Sequence, residues 1–147
     1  MNATTTNPKL IRFVATPSTE LSMSDIDFSR ANYAVDVASM DLPVLADHGM
    51  TVVEGSGEVR HQTLSVNRKL GIERGVWEAA EGVVEDVEAD ELAVVISGHA
   101  TIEFLDGSAP PAELKSGSFC ILKAGTPTRW TVHKRLRKVY QTPWSGD

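Results

Sequence analysis

The chain has 147 residues, 41% of them hydrophobic and 23% charged, and its 14 basic and 20 acidic side chains give a net charge of −6. It is long enough to bury a core without disulfides and ordinary in composition, which excludes a wholly disordered chain. No apolar run approaches the roughly 20 residues of a membrane-spanning helix, and the first eight residues carry no basic-then-apolar leader, so neither a membrane nor a secretory route is expected. The acidic balance argues against nucleic acid as a partner, and the single cysteine, Cys120, fits a reducing compartment, so the expected location is cytoplasmic.

Residues 1–49 are weakly patterned and are expected to form an N-terminal extension. Within it, residues 9–14 read as an edge strand that packs outside the fold or crosses to a partner subunit. From Met50 the text changes, and residues 50–147 are expected to form one β-barrel. Short β-favouring pieces at 50–53, 58–66, 72–80, 92–96, 100–105, 118–122, 130–133 and 136–140 alternate with turn residues. Gly55, Gly57, Gly71, Gly82, Gly98, Gly117 and Gly125 each read as the end of a strand. Asp106-Gly107 is a hairpin turn signal that Pro110-Pro111 lengthens into a loop. Many short strands with evenly spaced turns and no long 3.6-residue period predict a mainly β fold.

Two charge runs stand out. One is basic, with Arg129, His133, Lys134, Arg135, Arg137 and Lys138; the other is acidic, from Glu73 through Glu78, Glu81, Glu85, Asp86, Glu88, Asp90 and Glu91. The simplest reading is outward faces of neighbouring strands paired across a sheet.

Glu91 followed by six residues and Gly98, and Gly117 followed by five residues, Lys123, Ala124 and Gly125, match the ends of the two cupin motifs, H-x-H-x3-E-x6-G and G-x5-P-x-G-x2-H. Together with Gly75-Val-Trp-Glu78, Gly82, Asp90, Trp130-Thr-Val132 and Arg137-Lys-Val-Tyr140, they make the chain resemble the small single-domain cupins grouped with the (S)-ureidoglycine aminohydrolase cupin domain. The resemblance implies a single-domain cupin jelly-roll β-barrel (RmlC-like), a homodimer, and a small polar metabolite, ureido, amino-acid-like or carboxylate, bound in the barrel. In metal-bearing cupins two histidines and the glutamate of the first motif, with a histidine of the second, hold a transition metal. Carried over, those positions are Glu85, Val87, Glu91 and Thr128. A valine donates nothing to a metal, so no cofactor is expected, or at most a weakly held Mg or Mn on two carboxylates and a hydroxyl.

Because alternate residues of a strand share a face, a straight strand through this region would line up Glu85, Val87, Ala89, Glu91, Ala93 and Val95. Glu91, set in an apolar strand, is the candidate catalytic acid or base if desolvated and unpaired; the alternative is a structural ion pair with Lys123, Arg129 or Lys138. Trp77, Glu85, Lys123, Thr128, Trp130 and Tyr140 are the candidate ligand-binding residues. The indoles would floor a pocket, Lys123 would offer a cation to a carboxylate ligand, and Tyr140 would reach the cavity. His48, His61, His99 and His133 follow no metal-ligand spacing and read as sheet-face or edge residues, and Cys120 as packing. A small-molecule-binding cupin is the reading adopted. A metal-dependent amidohydrolase or isomerase with non-standard ligands and a non-catalytic sensor or accessory dimer are the alternatives.

Overall fold

The computed structural model describes residues 32–146; the strand expected at 9–14 lies outside them. Eight strands follow in chain order: β1 (Thr51–Gly55), β2 (Val59–Asn67), β3 (Ile72–Ala79), β4 (Gly82–Val87), β5 (Glu91–Phe104), β6 (Ala112–Lys115), β7 (Phe119–Leu122) and β8 (Pro127–Pro143). All pair antiparallel. One path runs β1-β4-β8-β3-β2, and β5 pairs with β6, β7 and β8. The result is a curled, mainly β jelly roll. No described helix is long and apolar enough to cross a membrane.

The spine is β5 against β8, paired from Leu92↔Gln141 to Phe104↔Thr128. The other edge of β8 takes β4 along its first third and β3 along its last. Inward residues of this spine and its neighbours, among them Val59, Ala79, Val95, Ile102, Trp130 and Leu136, form the main core. A second cluster lies on the outer face, where Met40 and Leu42 cover Val76. There the Arg137 guanidinium donates to the carbonyls of Val37 (2.8 Å) and Met40 (2.7 Å), and Arg60 to that of Leu42 (3.0 Å), which satisfies the backbone of a segment that has no ladder of its own. The cations of the basic run meet carboxylates of neighbouring strands: Arg129 with Glu85, Arg135 with Glu58 and Glu78, Arg137 with Glu78.

The sequence reading is corrected at the glycines. Gly98 does not end a strand. It lies within β5 at φ +92°, where the ladder slips between Ser97 and His99 and again before Ala100. Such bulges bend a strand without ending it, so the pieces expected at 92–96 and 100–105 are one strand, as are those at 130–133 and 136–140. The short strand β6 was not anticipated, and β4 is a strand of its own where the text was read as one straight strand from 85 to 95. The 105–111 connection is a loop, as the two prolines require, and the Gly107 N–H donates to the Phe104 carbonyl at its turn (3.0 Å).

A Cβ at Gly98 would lie 2.0 Å from the Arg135 carbonyl oxygen and 2.6 Å from Leu136 Cα, both backbone atoms. Gly98→Ala is therefore expected to lower stability by about 2–3 kcal/mol through strain at the bend of the spine, read as a lower urea midpoint with unchanged m-value.

Candidate functional site

Five strands and the 88–90 connection line a cavity of about 250 Å³ walled by His61, Glu73, Trp77, Asp86, Glu88, Glu91, Trp130, Lys138, Tyr140 and Thr142, with Leu45 and Met50 at one side. Its centre is the Lys138 ammonium. Lys138 is a register partner of Trp77 across β3 and β8, and alternation along β8 puts Trp130 on the same inward face. The Nζ atom lies 4.7 Å from the Trp77 ring centre and 5.0 Å from that of Trp130. It donates to Glu91 Oε1 at 2.5 Å, with only 6% of the Lys138 side chain exposed. The two indoles stand 6.1 Å apart, tilted by 50°. A nearly dry ammonium is tolerated because one carboxylate and two π faces replace its water.

The acids are positioned unequally. Glu88 Oε1 accepts from Trp130 Nε1 (2.8 Å) and from the Thr128 hydroxyl (2.6 Å). Among the described residues Asp86 has only the N–H of the next residue, Val87, at 2.8 Å. Burial first, and then the charge of Glu88, raises the Asp86 carboxyl above its usual range.

On the opposite wall the Tyr140 hydroxyl donates to Glu73 Oε2 (2.6 Å) and lies 2.6 Å from His61 Nε2. With the phenolic proton directed at Glu73, His61 Nε2 is the donor of the second bond. Burial, ahead of the neighbouring Glu73, pushes the Tyr140 phenol far up, and burial pulls the His61 imidazole down. Gly75, the register partner of Tyr140, makes this arrangement fit: a Cβ there would lie 2.5 Å from the hydroxyl oxygen.

Of the residues expected at the site, the fold brings together Trp77, Glu91, Trp130 and Tyr140. Glu85 is outside: it faces away from the cavity and accepts from Arg129 at 2.7 Å. The straight-strand reading fails because β4 ends at Val87 and the chain turns before β5 begins at Glu91. The inward residues are Val84 and Asp86 in β4, Glu88 in the connection, and Glu91, Ala93 and Val95 in β5. Thr128 is fully buried behind the wall, orienting Glu88. Lys123 is exposed in the β7–β8 turn, away from the cavity. Glu91 has a partner, Lys138, one of the three cations considered. His61, Glu73, Asp86, Glu88, Lys138 and Thr142 were not expected here. Asp86, Glu88 and Lys138 would have followed from the charge runs had the strand break been legible. Burial raises the Cys120 thiol, which fits a packing role.

The cavity does not suit a transition metal. It offers a single imidazole, already hydrogen-bonded, and a fixed ammonium occupies the carboxylate a metal would use. No three ligand atoms within it come within 4.8 Å of one another among the described residues.

A family model described as the EutQ-like cupin domain matches residues 67–140, half of the chain from the end of β2 through most of β8. The chain belongs to the EutQ-like cupin family. Solved structures similar to this EutQ-like cupin include the EutQ protein of Clostridium difficile (17% identity, TM-score 0.60, 78% of this chain and 88% of that one). Others are an ethanolamine utilization protein Q of Salmonella typhimurium LT2 (12%, 0.54, 77% and 86%) and a cupin superfamily protein of Desulfitobacterium hafniense (14%, 0.54, 82% and 98%). At such identities the likeness is one of fold. No curated protein matches the chain in sequence.

Two measurements probe the EutQ-like cupin's cavity. Lys138→Met leaves the Glu91 carboxylate unpaired and is expected to cost about 3–5 kcal/mol. The Lys138→Met, Glu91→Gln double variant should recover part of that loss in a denaturation cycle. For His61 the folded-state value lies below the ordinary 6.5, so the unfolded chain takes the proton first. The contribution is fully present above pH 6.5 and is lost as pH falls toward the depressed folded value, with a slope of up to about 1.4 kcal/mol per pH unit. His61→Gln should remove that component from the wild-type melting temperature measured between pH 7 and pH 5.

Proposed function

We propose that the barrel binds a small polar metabolite carrying a positive charge, an amine or a related nitrogen group. The observation behind this reading is Asp86. Four carboxylates line the cavity, against one lysine and one imidazole whose pKa is lowered. Glu91 is taken by Lys138, Glu73 by Tyr140, and Glu88 by two neutral donors. Asp86 has no side-chain partner among the described residues, and its raised carboxyl is what a carboxylate beside like charges and short of cations shows. An ammonium seated against Asp86 and Glu88 would return that carboxyl toward its ordinary range, with the ligand's body against Trp77 and Tyr140. The resemblance to ureidoglycine aminohydrolase cupins supports the same class, small nitrogen-bearing metabolites.

In this reading Glu91 is a positioning residue for Lys138, and no metal takes part. A second reading, turnover of the ligand by proton transfer, has His61 in its favour. Its lowered pKa leaves it neutral at pH 7 and able to accept a proton, while Tyr140 and Glu73 orient it. A homodimer belongs to the same proposal. Among the described residues β7 pairs only with β5, and Phe119 and Ile121 on it are each 63% exposed, which suits cover by a second copy.

Thermal-shift titration with small amines, including the ethanolamine of one neighbour's name, and with matched carboxylates tests the binding. Amines should raise the melting temperature, by about 2.7 kcal/mol of stabilisation at a hundred times Kd, and carboxylates should not. Asp86→Asn should leave the ligand-free protein as stable or more so while weakening amine binding at least tenfold. Carboxylates binding at Lys138 in preference to amines would overturn the reading. His61→Gln should keep binding and lose turnover if the protein is an enzyme. Light scattering should give twice the chain mass, and Phe119→Asp should reduce it to the single chain.

A further inference from the structure

On the outer face of the spine, away from the barrel cavity, two histidines and a glutamate converge. The bulge that bends β5 brings them there. Along the ladder His99 pairs with Lys134 and the next residue, Ala100, with Val132, so β8 carries one extra residue at this step: His133. Across the bulge the alternation of β5 reverses, from Val95 inward to Ala100 inward, which turns His99 out. His133 lies on the outward, odd-numbered face of β8, and the two rings stand 4.7 Å apart. The third member comes from β6, where Glu113 is the register partner of Thr101. His99 Nε2 lies 2.6 Å from Glu113 Oε2. The Thr101 hydroxyl donates to Glu113 Oε1 (2.7 Å) and lies 2.8 Å from His133 Nε2. One ligand atom from each of the three lies within 4.8 Å of the other two, and all three side chains are exposed.

We propose that His99, His133 and Glu113 form a surface site for a divalent transition metal such as Zn²⁺, Ni²⁺ or Cu²⁺. Two imidazole nitrogens and one carboxylate oxygen are the donor set those ions favour, with open positions left for water or a further ligand. The short hydrogen bonds now joining the three groups mark where protons bridge them, and the ion replaces those protons. Thr101 stays as the outer partner that holds Glu113 in place. The site selects against ions held by charge alone. Lys115 and Lys134, the register partners of His99 on either side, are both exposed next to it. Their charge opposes Mg²⁺ and Ca²⁺, which take no imidazole nitrogen in compensation. The inference is independent of the barrel reading, since no residue is shared.

The test is calorimetric titration of the full chain, purified without a histidine tag, with Zn²⁺, and separately with Mg²⁺. One equivalent of Zn²⁺ should bind and Mg²⁺ should not. His99→Ala and His133→Ala should each lower the affinity at least tenfold, Thr101→Val should lower it about tenfold, and His61→Gln should leave it unchanged. In the wild-type protein the ring resonances of His99 and His133 should shift on adding Zn²⁺ while those of His48 and His61 stay in place, a readout that needs no variant to fold. No saturable binding, binding that survives both histidine variants, or resonance shifts centred on His61 would overturn the proposal.

Discussion

The interior depends on where one charge has been placed. Lys138 is a cation almost out of water, and a cation so placed must be met from several sides or the barrel opens. Three elements answer it: β3 with Trp77, β8 with Trp130, and the first residue of β5, Glu91. Each is in reach only if the β3–β8 and β5–β8 registers are both kept. The cage therefore couples the two flanks of β8 at the point where the cavity lies. Its consequence for function is direct. At that point the cavity holds an ammonium, and what it offers from that wall is a fixed positive charge with its donors.

The same cage leaves the remaining acids without a cation. Burying carboxylates together costs stability, and the cost falls on Asp86, whose carboxyl is raised by burial and by Glu88. Groups held at an energetic disadvantage concentrate where a ligand will relieve them. The opposite wall is arranged differently. There His61, Tyr140 and Glu73 satisfy one another, and the missing Cβ of Gly75 makes the room. In the proposed function, one side self-satisfied and the other short of a cation would make the cavity discriminate by ligand charge before shape.

The mainly β class was legible because turn residues and β-favouring runs alternate from Met50 onward, and the cupin motifs survive as spacings even though their histidines are gone. Trp77, Glu91, Trp130 and Tyr140 were legible as a group because each follows simple alternation within a single strand. Glu85 and Asp86 were assigned to the wrong faces because nothing in the text 85–91 marks the end of β4: no glycine or proline interrupts it, and the chain turns through Ala89 and Asp90. His61 was passed over because a lone histidine beside Arg60 carries no local sign of the Tyr140 opposite, which is brought to it by a pairing 79 residues away.

Both places where the linear reading failed are places where a strand's alternation is interrupted, by a turn after β4 and by a bulge within β5. With a side-chain period of two, a single extra residue moves every later side chain to the other face. The turn between β4 and β5 leaves Asp86 and Glu88, not Glu85 and Val87, as cavity residues. In the spine the change of phase falls on β5, where Val95 is buried before the bulge and Ala100 after it. His99 therefore points outward beside His133, on a β8 whose even-numbered residues keep the inward face on both sides of the bulge. Neither needs an unusual residue at the slip itself beyond Gly98, whose positive φ admits the bend. The chemistry of both faces of this barrel is thus set less by which ionisable residues the chain contains than by where the ladder loses step.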